Sequence, residues 1–67
     1  MTYDKIAHYI GKEQTTFICS QPADKLKQMK KALLYEFNEV HPKNPLPVQI
    51  LFRYTIELEL INNLLKN

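Results

Sequence analysis

The sequence predicts a small, mainly α-helical single domain over residues 1–67. One glycine and a hydrophobic content of 45% argue for a compact chain without long flexible linkers. Apolar residues recur at helical spacing over two long segments, and a proline-rich stretch separates the two. We therefore expect a short N-terminal helix, an extended segment near residues 15–19, and two long antiparallel helices at about 22–40 and 45–65.

The N-terminal segment predicts a helix over Tyr3–Ile10. Thr2 is a suitable N-cap and Gly11 a suitable residue just beyond the C-terminus. The following run, Thr15–Cys19, has high strand propensity and is predicted to be extended. In an alternative fold, residues 6–10 and 15–19 pair as a β-hairpin. The side chains expected to be buried in the helix are Tyr3, Ile6 and Ile10.

The second segment predicts a helix over residues 22–40. Ser20 is a candidate N-cap, Pro22 fits the first turn because no backbone donor is needed there, and Pro42 ends the helix. Apolar residues spaced three or four apart collect on one face of this helix. They are Leu26, Met29, Leu33, Phe37 and Val40.

The third segment fits two periodicities. As a helix it starts at Asn44 and Pro45 and places one apolar face inward, leaving a second apolar stripe on the far side. As a strand over residues 48–60 it shows near-perfect alternation, which gives an α+β alternative to the all-helical fold. The helix is favoured because it explains the Asn-Pro start and continues the pattern to residue 65. Its main face is Ile50, Leu51, Tyr54, Leu58, Ile61 and Leu65, and its second stripe is Phe52, Ile56 and Leu60.

This second stripe predicts a partner-binding surface. A 67-residue chain buries only about 60% of its unfolded surface, and a two-helix unit covers one face of each helix. Burying three large apolar side chains contributes roughly 1.5 to 3 kcal/mol each, which is comparable with the whole stability of such a domain. We therefore expect self-association as a homodimer and binding to another protein. The predicted contact residues are Phe52, Ile56, Leu60, Leu34 and Tyr35.

Charge is distributed unevenly along the chain. Residues 1–31 carry six lysines and three acids, for +3, and residues 32–67 carry three basic residues and four acids, for −1. Lys27, Lys30 and Lys31 form a candidate charge patch on the side of the 22–40 helix away from its apolar stripe. Lys25 and Lys27 lie near the N-terminus of this helix, whereas Glu36 and Glu39 lie near its C-terminus. This order opposes the helix dipole. Two antiparallel copies of the helix would place each lysine end against the other copy's glutamate end.

Signatures of catalysis, metal binding and cofactor binding are missing from the sequence. His8, Cys19 and His41 show no spacing used by zinc sites, and a single glycine cannot build a phosphate-binding loop. A lone cysteine and an N-terminus without an apolar leader predict a reduced thiol in a cytoplasmic protein. No segment is long and apolar enough to predict a membrane helix. We expect neither enzyme activity nor a cofactor or metal.

These observations predict a small cytoplasmic protein–protein interaction module that modulates or inhibits a larger cellular protein. Its size would suit a phage or prophage source. The alternative is a small DNA-binding transcriptional regulator, because Ala7, Gly11 and Phe17 stand at a spacing that resembles a helix-turn-helix core at about residues 5–20. In that case residues 14–16 would face base edges, and the lysines would contact phosphates. The net charge of +2 gives nucleic-acid binding little support.

Overall fold

Four α-helices make up the fold. The computed structural model describes residues 2–66, so Met1 and Asn67 of the predicted domain lie outside the described residues. Within 2–66 the chain forms α1 (Tyr3–Ile10), α2 (Lys12–Cys19), α3 (Ala23–Tyr35) and α4 (Val48–Lys66), and a π-helical turn (Glu36–Val40) continues α3. The predicted mainly α class is confirmed. The α+β alternative, with a hairpin and a strand at 48–60, is wrong.

Helix α1 has the predicted bounds and ends. The Thr2 hydroxyl accepts a hydrogen bond from the Lys5 backbone N–H at 3.4 Å. Gly11 follows the helix with φ +93°, a conformation that side-chain-bearing residues rarely adopt. Ile6 is buried as expected, but Tyr3 is 50% exposed, so its predicted burial is wrong.

Helix α2 replaces the extended segment predicted near residues 15–19. The strand propensity of this run is overridden because a helix that starts directly after Gly11 places Ile18, which is fully buried, in the core. Thr15 is also fully buried, and its hydroxyl donates to the Gly11 carbonyl oxygen at 2.8 Å. A helical threonine can satisfy its hydroxyl in this way, so its burial leaves no polar group unpaired.

The predicted 22–40 helix is present as α3 and its π-helical continuation. Its N-cap differs from the prediction, because Pro22 occupies the cap position and the Ser20 hydroxyl instead donates to the Phe17 carbonyl oxygen at the end of α2. Leu26 is buried and the rest of the predicted stripe is partly buried. The sequence therefore indicated the inward face of this helix correctly.

The loop from His41 to Pro47 is held by hydrogen bonds at both ends. Asn44 N–H donates to the Val40 carbonyl oxygen at 2.8 Å, and Leu46 N–H donates to His41 Nδ1 at 2.9 Å. Helix α4 starts at Val48, three residues later than predicted. Pro47 explains the delay, since Leu46, the residue before it, is disfavoured in helical conformation.

Helix α4 is the central element of the core. It contacts α1, α2 and α3. The extra helix α2 therefore supplies, together with α1, the second wall that a two-helix unit lacks. As a result both apolar stripes of α4 contribute buried side chains to the core. The buried apolar side chains are Ile6, Ile10, Ile18, Leu26, Ile56, Leu60 and Ile61.

Helix α3 and α4 contact each other along their length in a consistent order. Lys30 and Lys66 line the same hollow, and the ring of Phe37 meets the ring of Tyr54 with centroids 6.3 Å apart. Residues further along α3 and its π-helical continuation thus lie near residues earlier in α4.

Candidate protein-binding surfaces

The structure corrects the predicted partner-binding stripe on α4. Ile56 and Leu60 are 2% and 5% exposed, so their prediction as surface residues is wrong. The prediction counted only α3 as cover for α4 and treated α2 as a strand, and α2 with α1 covers the second stripe. Phe52, one turn before Ile56, is 46% exposed. Leu34 and Tyr35 on α3 are also exposed.

Phe52 belongs to an exposed apolar cluster that we call the aromatic cluster: Tyr9, Val48 and Phe52. The Tyr9 and Phe52 rings meet edge to face, with centroids 5.0 Å apart and an interplanar angle of 81°. His8 extends the contact, since its ring lies 5.4 Å from the Tyr9 ring. Val48 lies one helical turn before Phe52 and is 81% exposed. The cluster joins the end of α1 to the start of α4.

Sequence reasoning missed two members of this cluster. Tyr9 lies three residues after Ile6, at the edge of the buried face of α1, and its exposed fraction of 45% is decided by the packing. Val48 directly follows Pro47, so it falls in the first turn of α4, where no preceding turn can cover it. The contact between Tyr9 and Phe52 links residues far apart in the chain, and no local pattern predicts it.

A second exposed surface runs along α3. Lys27, Lys31 and Tyr35 are spaced four residues apart on α3 and all are exposed, which places them in one row. Glu39, in the π-helical turn that continues α3, is also exposed and lies beyond the end of that row. We call these four residues the α3 row. Leu34 lies beside this row and is exposed as well. The row is basic at its start and acidic at its end, with apolar side chains between. It contains two of the three residues of the predicted charge patch.

The third residue of that patch, Lys30, lies elsewhere. It is partly buried and lines a hollow between α3 and the end of α4, together with Asn62, Leu65 and Lys66. The predicted patch is therefore divided between two surfaces. Only the part formed by Lys27 and Lys31 faces away from the rest of the molecule.

An open groove of about 230 Å³ separates α3 from α4. Burial raises the pKa of the Glu57 carboxyl above its ordinary value, because the ionised form loses hydration there. The positive charge of Arg53 and a hydrogen bond from Gln14 oppose this rise in pKa. The groove is lined by Met29, Ala32, Leu33, Glu36, Tyr54 and Glu57.

The segment predicted to face DNA is not arranged as the helix-turn-helix spacing requires. Phe17, expected in the motif's core, is 49% exposed, whereas Thr15, expected at the base edges, is fully buried. Gln14 is partly buried and bonds to Glu57. Of the three residues predicted to contact bases, Thr16 alone is exposed.

Chemical groups elsewhere in residues 2–66 form no recognisable centre. No group of three or more His, Cys, Asp or Glu side chains in this range lies close enough to hold a metal ion. Cys19 is a free, partly buried thiol packed against the core. Within the same range no helix combines the length and apolar character needed to cross a membrane.

Comparison with known protein families, curated proteins and solved structures gives no match.

Proposed function

We propose that this chain is a small, non-enzymatic protein–protein interaction module that modulates or inhibits a larger cellular protein and also associates with itself. The observation that carries the proposal is the aromatic cluster, which holds three large apolar side chains together in water on a very small domain. Single exposed apolar residues are common, but contiguous ones are typical of binding sites. Aromatic side chains are also the most frequent anchors of protein interfaces.

The proposal places the protein in the cytoplasm, where the Cys19 thiol stays reduced. A phage or prophage origin belongs to the same proposal and rests on small size alone. Regulation by binding needs no catalytic group, which agrees with a sequence that carries no catalytic signature.

A matched pair of substitutions tests the aromatic cluster. Phe52→Asp places a charge in the cluster, and Phe17→Asp makes the same change at a phenylalanine of nearly equal exposure, 49% against 46%, outside it. Tagged wild type and both variants are used to capture proteins from the native host, after circular dichroism shows that each variant is folded. We expect Phe52→Asp to lose a captured protein that wild type and Phe17→Asp retain. Capture of the same proteins by all three forms would refute the role of the cluster.

Salt dependence separates this proposal from the alternative of a DNA-binding regulator. Binding through several lysine–phosphate contacts weakens steeply with added salt because counterions are released. Binding through the aromatic cluster removes apolar surface from water and changes little with moderate salt. DNA binding that is unaffected by Phe52→Asp and lost at moderate salt would favour the regulator.

A further inference from the structure

We propose that the α3 row binds the α3 row of a second copy of this chain. The two helices pack antiparallel about a two-fold axis at the height of Leu33 along the helix. This inference rests on the self-association in the proposed function and specifies its surface and register. The supporting observation is that each side chain of the row has a complementary one equally far on the other side of Leu33.

The register follows from the sequence of the exposed face. A two-fold axis at Leu33 brings positions equally far before and after it to the same height on facing helices. Lys27 then faces Glu39 of the second copy, a charge pair, and Lys31 faces Tyr35 of the second copy, a cation over an aromatic ring. Every pair occurs twice because the arrangement is symmetric. The same register places Gln28 against Asn38 and Ala32 against Leu34.

The structure is what selects these residues from the wider set of charges on α3. Lys27, Lys31, Tyr35 and Glu39 are all exposed, so they are available to another molecule. Lys30 and Glu36, which the sequence alone would pair equally well, face α4 instead and line the hollow and the groove described above. Charge pairing between copies therefore passes through Lys27 and Glu39.

Each exposed ion pair contributes little to the free energy of association, and this row is short. Its ends are about 18 Å apart at 1.5 Å per residue. We expect a dimer that forms at high protein concentration and weakens as salt screens the charges. Such a dimer leaves the aromatic cluster uncovered for a different partner.

The helix dipole allows the test to distinguish a loss of dimerisation from a loss of folding. A glutamate at position 27 and a lysine at position 39 both suit the ends of an isolated helix better than the natural residues do. Lys27→Glu and Glu39→Lys should therefore fold at least as well as wild type. Loss of the dimer in either variant reports on the interface and not on folding.

The experiment is sedimentation equilibrium of the full chain at rising concentration, for each variant alone and for an equimolar mixture. Each variant alone opposes like charges twice, so we expect its dimerisation to weaken about tenfold to a hundredfold. The mixture restores both attractive pairs in a heterodimer, and we expect its mass to return to the wild-type value. Lys43→Glu, which makes the same charge change in the loop after α3, should behave as wild type.

Three results would overturn the inference. They are a wild type that stays monomeric at the highest concentration, single variants that dimerise as well as wild type, and a mixture that stays monomeric while wild type dimerises. The capture experiment with Phe52→Asp tests a different surface, the aromatic cluster. A negative result here therefore refutes the dimer and leaves binding by the aromatic cluster to be judged separately.

Discussion

Replacing Ile56 by alanine tests whether α4 is the central helix of the fold. Ile56 is 2% exposed, and deletion of a buried isoleucine side chain to alanine costs about 2 to 5 kcal/mol. A chain of 67 residues has a total stability of about 3 to 10 kcal/mol. We therefore expect Ile56→Ala to remove between about a fifth and all of the free energy of unfolding.

The control is Phe52→Ala on the same helix. Phe52 is 46% exposed, and full burial of a phenylalanine contributes about 1.5 to 3 kcal/mol, so its truncation should cost about 1 kcal/mol. If α4 instead presented the Phe52 stripe outward and Ile56 with it, as the sequence alone suggested, both substitutions would cost little.

Urea unfolding followed by far-UV circular dichroism measures the difference. With a urea dependence of about 1 kcal/mol per molar, Ile56→Ala should lower the midpoint by about 2 M or more, and Phe52→Ala by about half of that or less. The measurement belongs at low protein concentration, because dimerisation adds apparent stability. A midpoint for Ile56→Ala equal to or above that of Phe52→Ala would refute the central position of α4.

Three further predictions concern single groups. Gly11→Ala should lower the free energy of unfolding by about 1 to 3 kcal/mol, because a residue with a side chain is strained at a φ of +93°. A clash would not contribute, since an added Cβ meets no atom within 4 Å. An unchanged denaturation midpoint would show that the turn relaxes. His41→Ala should cost about 1 kcal/mol by leaving the Leu46 N–H without its acceptor, whereas His41→Asn should keep most of that stability in the same urea titration. Glu57 has a raised pKa in the folded state, so its ionisation disfavours folding above that pKa and the penalty disappears as pH falls towards the ordinary glutamate value. Glu57→Gln should therefore be more stable than wild type at neutral pH, and the difference should shrink on acidification; a constant difference across this range would contradict the assignment.

Local signals explain which parts of the fold the sequence could predict. The bounds of α1 follow from Thr2 and Gly11, and the inward face of α3 follows from residues spaced three and four apart. Each of these signals acts within about one helical turn. The sequence also placed Leu34 and Tyr35 correctly on the surface, because both lie off the apolar stripe of α3.

The two errors that changed the predicted fold and binding surface arose because contacts with residues distant in the chain decide the structure there. Thr15–Cys19 has strand propensity, yet the free energy gained by burying Ile18 against other helices favours α2. The wrong prediction that Ile56 and Leu60 are surface residues followed from the same error, because without α2 the predicted fold had no helix to cover them.

The sequence by itself determined that this chain is helical, where its helices α1 and α3 run, and that its apolar side chains exceed what two helices can cover. Only the tertiary structure decided which of those side chains stay in water. Helical periodicity is a property of a few consecutive residues, whereas exposure depends on which other helices pack against them. Ile56 and Phe52, one turn apart on α4, therefore differ in exposure because α1, α2 and α3 surround one of them and leave the other half uncovered.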